Sequence, residues 1–329
     1  MKIAILLGGS SMERDISISS AKQVIQALRS LDHDVSLIDL STGILSLKSE
    51  NEIFSSNIKP TPPDFINEDR SIIKKIISEA IFLDFDLVFI ALHGGVGENG
   101  VVQSILEEKG IPYTGSNSKS SALAMDKDQS KKIFVSNGVL TPDWTIVTED
   151  NDFNFNLEFP LIVKPNSQGS TVGLSYVDNA ILLKNSISKA RLYDSKVIVE
   201  NYISGNELTV GVLNNEPLSV GHIIPSDGEI FDYESKYQPG LAEEIFPADI
   251  SPKLENEIKD IAIRVHNILG LNNYSRIDFI VDSEERIWCL EANTLPGLSA
   301  GSLLPKSALA VGISFEELCA KIVSKTVKQ

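Results

Sequence analysis

The stretch RIDFIVDSEERIWCLEAN, from Arg276 to Asn293, constrains the fold of this chain more than any other. Ile277, Phe279 and Val281 alternate with Arg276, Asp278 and Ile280, a period of two that marks a β-strand with one buried face. Polar residues from Ser283 to Arg286 break the pattern and a second apolar run follows, so the segment reads as a hairpin. With those four residues as the loop, Asp282 faces Ile287, Asp278 faces Glu291, and Arg276 faces Asn293. Directly paired residues stand roughly 4.5–5.5 Å apart at Cβ, and like charges so placed are destabilising. Acids on a half-buried sheet therefore call for a cation or a proton. Mg²⁺ suits oxygen ligands and commonly joins carboxylates to nucleotide phosphates; solvated acids on an exposed face are the alternative.

At 329 residues, the chain has room for two or three domains with large cores. The balance of 29 basic against 45 acidic residues gives a formal charge of −16, which argues against a nucleic-acid or anionic-membrane surface. An anionic ligand must then be met by local basic residues. No apolar run approaches the roughly 20 residues of a membrane helix. The opening KIAILL runs into Gly8 and Gly9, so it reads as a buried strand and not as a signal peptide; the cytoplasm is the expected compartment. Cys289 and Cys319 both fall in apolar segments and read as packing thiols.

Residues 1–120 alternate strand and helix: strands over 2–7, 34–39 and 86–92, helices over 19–31, 69–82 and 100–109. This predicts a helix-covered parallel sheet. The prolines between 41 and 67 suggest a long irregular excursion. A second unit, 121–204, has a helix over 126–137, strands at 144–147 and 161–164, a glycine-bearing loop, a helix over 180–192 and a strand over 196–202. The third, 205–329, holds strands over 207–213 and 218–224, a helix over 252–269, the hairpin and two closing helices.

The loop KPNSQGSTVG, from Lys164 to Gly173, follows an apolar strand. Its small residues let backbone N–H groups approach an anion, and Lys164 adds charge. It is not a Walker A loop, because the lysine precedes the glycines and strands flank it; a plain surface hairpin is the competing reading.

Taken together, these features resemble the ATP-grasp fold, and within it the D-alanine–D-alanine ligase family over nearly the whole length. The family's patterns stand in order as LGGSSMER at 7–14, ALHGGVGENG at 91–100, YTGS at 113–116, MDK at 125–127, YESKY at 233–237 and NTLPGLS at 293–299. The resemblance implies a three-domain α/β and α+β architecture clasping ATP. It implies that Lys127, Lys164 and Ser170 contact the phosphates, with Lys236 reaching the transferred phosphoryl group. Glu207 would accept from the ribose, and the strand region with Glu200, Asn201 and Ile203 would lie beside adenine. Asp278, Glu291 and Asn293 would hold two Mg²⁺ ions, with Mn²⁺ able to substitute. Glu13, helped by His93, would hold the first D-alanine's ammonium, and Ser302 and Leu303 the second substrate's carboxylate. Arg276 and the Gly297 N–H would stabilise the oxyanion, and Tyr237, Ser170 and Glu13 would form a hydrogen-bonded set beneath a lid. Ser299 and Ser307 read as ordinary caps. Asn201 departs from relatives that carry lysine there, and dimers are common in the family.

Rival readings are a ligase using D-lactate or D-serine as second substrate, another ATP-grasp ligase, and a nucleotide-binding module without turnover. Tyr237 favours an amine nucleophile, because ester-forming relatives generally lack the lid tyrosine. Tyr237→Phe is therefore expected to weaken the preference for D-alanine over D-lactate, measured as the ratio of dipeptide to ester product; an unchanged ratio would contradict the lid role.

Overall fold

The structure is a computed structural model that describes residues 1–55, 70–78, 84–148, 157–225 and 242–327. The first unit is built from β1 (Lys2–Leu7), α1 (Arg14–Ser30), β2 (Asp34–Asp39), β3 (Gly43–Ile44), α2 (Leu47–Ile53), α3 (Arg70–Ser78), β4 (Leu87–Ile90), α4 (Gly95–Glu98) and α5 (Val101–Glu108). Its strands lie in the order β3-β2-β1-β4, with β1 parallel to both β2 and β4. From Ile3 to Leu7, β1 is completely buried, as its unbroken apolar run requires of a strand covered on both faces.

Two local expectations need correcting. The excursion after residue 41 is not wholly irregular: β3 pairs with β2, and α2 forms where Ser46 caps its first turn by accepting from the Ser49 N–H. Residues 56–69 lie outside the described residues. Helix α1 starts at Arg14 and not near residue 19, because Ser17 and Ser20 face the interior, where they imitate the polar positions of an exposed turn.

Two helices, α6 (Ser118–Met125) and α7 (Lys127–Ser136), lead to an antiparallel sheet of β5 (Trp144–Val147), β6 (Leu161–Pro165), β7 (Ser175–Val177) and β8 (Val197–Asn201), ordered β5-β8-β6-β7 and backed by α8 (Ala180–Ala190). A third, antiparallel sheet takes β9 (Asn206–Leu213), β10 (Glu216–Pro225), β11 (Ala242–Ile245), β12 (Tyr274–Val281) and β13 (Ile287–Asn293) in the order β11-β10-β9-β12-β13. Helix α9 (Pro252–Ile268) packs on it, opened by a Ser251 cap with proline in the first turn. The chain closes with α10 (Leu303–Leu309) and α11 (Phe315–Val327).

Each expected unit has its own sheet, but the apolar cores cross the expected boundaries. Ala124 and Phe134, from α6 and α7, pack with β9, β12, β13 and α9. Leu318 and Ile322 of α11 join the core of the first sheet, together with Leu295 and Leu298. The central sheet keeps a separate core of Val147, Leu161, Val163, Val197 and Val199 under Leu183 and Ile187 of α8.

Phe279 is fully buried at the middle of the C-terminal core, so Phe279→Ala is expected to cost about 3–5 kcal/mol. The measurement is the urea unfolding midpoint, which should fall well below that of the unsubstituted chain.

Candidate active site

The hairpin pairs as the residue count predicts at its open end: Arg276 faces Asn293, Ile277 faces Ala292, and Asp278 faces Glu291. Toward the turn the register is shifted by one. Val281, not Asp282, faces Ile287, because the Asp282 N–H bonds to Arg286 O and the loop is a tight turn over 283–285 with Glu285 at φ 58°. A β-bulge at Leu290 absorbs the difference, since Phe279 pairs with Cys289 and Asp278 with Glu291. Strict alternation from Ile287 and Cys289, both in the core, would also turn Glu291 inward. The bulge restores it to the face of Asp278 and leaves Ala292 in the core.

Asp278 is only 6% exposed, which excludes a freely solvated acid. Its carboxylate accepts Arg276 Nε at 2.9 Å and Nη2 at 2.8 Å in a bidentate fork, Thr209 Oγ1 at 2.7 Å and Asn293 Nδ2 at 2.9 Å. Glu291 meets the Lys127 ammonium at 3.2 Å. The acid pair is thus offset by cations on both members. Lys127 also donates to the Gln168 carbonyl at 2.7 Å, which draws the 164–173 loop and the hairpin into one cleft. In that loop Ser170 and Thr171 hold φ at 51° and 61°, a left-handed conformation that side chains of this kind rarely adopt.

Behind the loop lies a buried cluster of like cations around one acid. Lys164 donates to Glu200 Oε1 at 2.5 Å, and Lys131 stands 2.9 Å from Oε2 while donating to Thr141 at 2.8 Å. These lysines hold the Glu200 carboxyl below its ordinary range despite complete burial. Lys131 has no exposed surface and lies 5.2 Å from the Trp144 ring centre. Next to this cluster a cavity of 510 Å³ runs past Glu200, Asn201, Ile203 and Glu207, with Ile280 and Leu290 as apolar walls.

At the other end of the cleft, Glu13 follows β1 and His93 follows β4, adjacent strands at the point where the sheet's winding reverses. Ser170 donates to Glu13 Oε1 across the interface between the first and central units. Gly94 and Gly169 close around the same carboxylate; a Cβ on either would collide with Glu13 Oε2. His93 donates from Nδ1 to Leu295 O at 2.8 Å and receives Ser20 Oγ–H at Nε2, also at 2.8 Å. Burial lowers its pKa to about 4, so the ring is neutral.

Gly297 abuts Ser302, leaving no room for a Cβ. Ser302 caps α10 by position, but its side chain makes no capping bond and its N–H goes to Ser299 O at 2.8 Å. Leu303 opens α10 and packs on Ile223. Ser307 is not a cap: it lies inside α10 and donates to Ser219 O at 2.6 Å. Lys236 and Tyr237 lie outside the described residues. Among the described residues no three His, Cys, Asp or Glu side chains gather as a metal cluster; the oxygen set on the hairpin is two carboxylates plus the Asn293 amide.

Sequence reasoning passed over Lys131 and Glu98. Lys131 sits four residues after Lys127, which would have placed it on the same helix face. Glu98 is 9% exposed and accepts the Gly94 and Leu295 N–H groups at 3.0 and 3.2 Å. Burial, and then the neighbouring Glu13 charge, push its pKa up to about 8.

Comparison with known proteins gives a consistent result. The family described as D-ala D-ala ligase N-terminus matches residues 2–116, and D-ala D-ala ligase C-terminus matches residues 134–324. The chain is 38% identical to a D-alanine–D-alanine ligase of Halalkalibacterium halodurans, covering 100% of both chains. It is 37% identical to one of Pediococcus pentosaceus, over 98% of this chain and 97% of that protein. Among solved structures, the D-alanine–D-alanine ligase of Bacillus anthracis complexed with ATP superposes with a TM-score of 0.80 at 31% identity, covering 100% of this chain and 98% of that one. The VanG D-Ala:D-Ser ligase of Enterococcus faecalis superposes with the same TM-score at 31% identity, over 99% of both chains.

Glu98 carries a pH signature. The folded chain keeps its proton up to about pH 8, whereas the unfolded chain loses it near the ordinary value of 4.5. Folding therefore takes up a proton between those values, and the stability from this group falls as pH rises through that window. Glu98→Gln should remove this slope. Urea midpoints of the two proteins, compared from pH 5 to 8, should diverge steadily; a constant difference would contradict a protonated Glu98.

Proposed function

The chain belongs to the D-alanine–D-alanine ligase family, and on that premise we propose that it joins two D-alanine molecules to D-alanyl-D-alanine for peptidoglycan synthesis. It is an ATP-dependent ligase, and the products besides the dipeptide are ADP and phosphate. The observation that carries this reading is the Lys127 ammonium, which spans the Gln168 carbonyl of the phosphate loop and Glu291 of the acid hairpin. With the Ser170–Glu13 bond, it supports one cleft for the groups we assign to phosphate, metal and first substrate.

In the proposed reaction, the adenine occupies the cavity beside Glu200 to Ile203, and Glu207 accepts from the ribose. Lys127, Lys164 and the N–H groups around Ser170 take the phosphate charge, with Lys236 joining them. Asp278, Glu291 and Asn293 suit Mg²⁺ or Mn²⁺, being oxygen donors on one face of the hairpin. Bound there, the ions would neutralise the phosphates as the phosphoryl group moves. A carboxylate oxygen of the first D-alanine attacks the γ-phosphorus and ADP leaves. The nitrogen of the second D-alanine then attacks the acyl carbon, loses a proton, and phosphate departs as the amide forms. Glu13 holds the first ammonium, and Arg276 with the Gly297 N–H faces the oxyanion. Ser302 and Leu303 receive the second carboxylate. The family resemblance assigns Tyr237, which lies outside the described residues, to the exclusion of water from the acyl phosphate. We place this activity in the cytoplasm, where ATP is available; no helix among the described residues is long and apolar enough to cross a membrane. A homodimer is the assembly we propose from the family.

A D-Ala:D-Ser ligase shares the overall shape as closely as the D-alanine enzyme does, so the backbone alone does not choose the acceptor. The test is phosphate release from ATP and Mg²⁺ with D-alanine, L-alanine, D-serine and D-lactate side by side, with product masses. D-Alanine alone should suffice and give its dipeptide. A requirement for D-serine or D-lactate would reassign the acceptor, and ATP binding without release under any acceptor would leave a binding module. Glu291→Gln should abolish turnover with the fold intact; near-normal activity would remove Glu291 from the metal site.

A further inference from the structure

We infer that His93, Glu98 and Ser20 act as positioning residues that clamp the backbone after β13, so the first sheet's unit sets the place of the Gly297 N–H. This rests on the ligase reading above and assigns His93 a different part from the substrate contact expected of it. Both polar groups of the Leu295 peptide are held from the first unit: its N–H by Glu98 Oε1 at 3.2 Å, its carbonyl by His93 Nδ1 at 2.8 Å. Ser20 completes the clamp, donating to His93 Nε2 at 2.8 Å and accepting the Leu298 N–H at 3.1 Å. Two residues on, the Ala300 N–H bonds to Gln23.

These bonds bracket Gly297 on both sides. Asn293 lies just before them and Ser302 just after, so a shift of this segment moves proposed metal, oxyanion and second-substrate groups together. The Leu295 and Leu298 side chains are 3% and 1% exposed in the core of the first sheet, so the segment is anchored by packing as well. Each ring nitrogen of His93 has a protein partner. A carbonyl can only accept, which puts the proton on Nδ1 and leaves Nε2 as the acceptor for Ser20. The ring's low pKa agrees with that neutral form.

Two replacements separate positioning from substrate contact. Asparagine places its amide nitrogen where Nδ1 stands and can still donate to Leu295 O, whereas glutamine places its own near Nε2. If the clamp is right, His93→Gln and Ser20→Ala lose roughly 10- to 100-fold in kcat, the range seen when supporting hydrogen bonds are removed. The KM for ATP should not change, and His93→Asn should recover most of the kcat lost by His93→Gln. The reverse order of the two His93 variants, equal losses in both, or an unchanged kcat for Ser20→Ala would overturn the assignment. Circular dichroism melting checks the fold, and Ser20→Ala alone decides if the His93 variants do not fold. Absence of phosphate release by the unsubstituted chain with D-alanine would instead count against the ligase reading.

Discussion

The organisation of this molecule turns on one unfavourable juxtaposition, Asp278 opposite Glu291 on neighbouring strands of a mostly buried sheet. Left alone, the two charges would destabilise the hairpin. They persist because each is matched separately: Asp278 by the planar fork of Arg276, two residues away on its own strand, and Glu291 by the ammonium of Lys127 from a distant helix. The distant match has the larger consequence. Because Lys127 also holds the Gln168 carbonyl, neutralising the hairpin and docking the phosphate loop are the same event. Nucleotide phosphates and divalent ions would arrive at a place where fixed charges of both signs already stand within bonding distance of one another.

Burial imposes a second pattern of charge. Glu200 sits between Lys131 and Lys164 with almost no access to water, and desolvation would by itself favour the neutral acid. Two adjacent cations reverse that tendency. Glu98 lacks such a neighbour in contact, lies near Glu13, and goes the other way. The contrast follows from local partners, since both acids are buried. One end of the cleft is therefore rich in positive charge where phosphates are proposed to bind, and the other holds a proton beside the proposed ammonium-binding acid.

Much of this was legible in the sequence because it followed simple periods. The strands β1, β2 and β5 fall where alternation or unbroken apolar runs place them, and the residue count reached the Asp278–Glu291 pairing because the bulge offsets a turn one residue shorter than expected. Other features were hidden for identifiable reasons. The bulge at Leu290 is an irregularity that counting cannot see, and only the phase change between Cys289 and Ala292 betrays it. The clamp on Leu295 depends on contacts 202 and 197 residues apart in sequence, which no local window contains. Ser20 and Glu98 were passed over because buried polar residues look like surface ones until their partners are known. The packing of α6 and α7 on the third sheet was obscured in the same way, since Ala124 and Phe134 do not announce which core they enter.

The division of the cores carries an implication for how the cleft opens. Helix α11 packs into the first sheet's interior, so the beginning and end of the chain are welded into one apolar mass, while the β5–β8 sheet has an interior of its own. Contacts such as Ser170 with Glu13 and Lys127 with Gln168 reach across to it through polar groups that water can replace. That sheet can swing away like a jaw while baring only the small Met12–Val172 contact, and neither of the larger interiors, to solvent. Loading a nucleotide and discharging a spent one then require exchanging hydrogen bonds for hydration, a far smaller disturbance than prising apart a shared core.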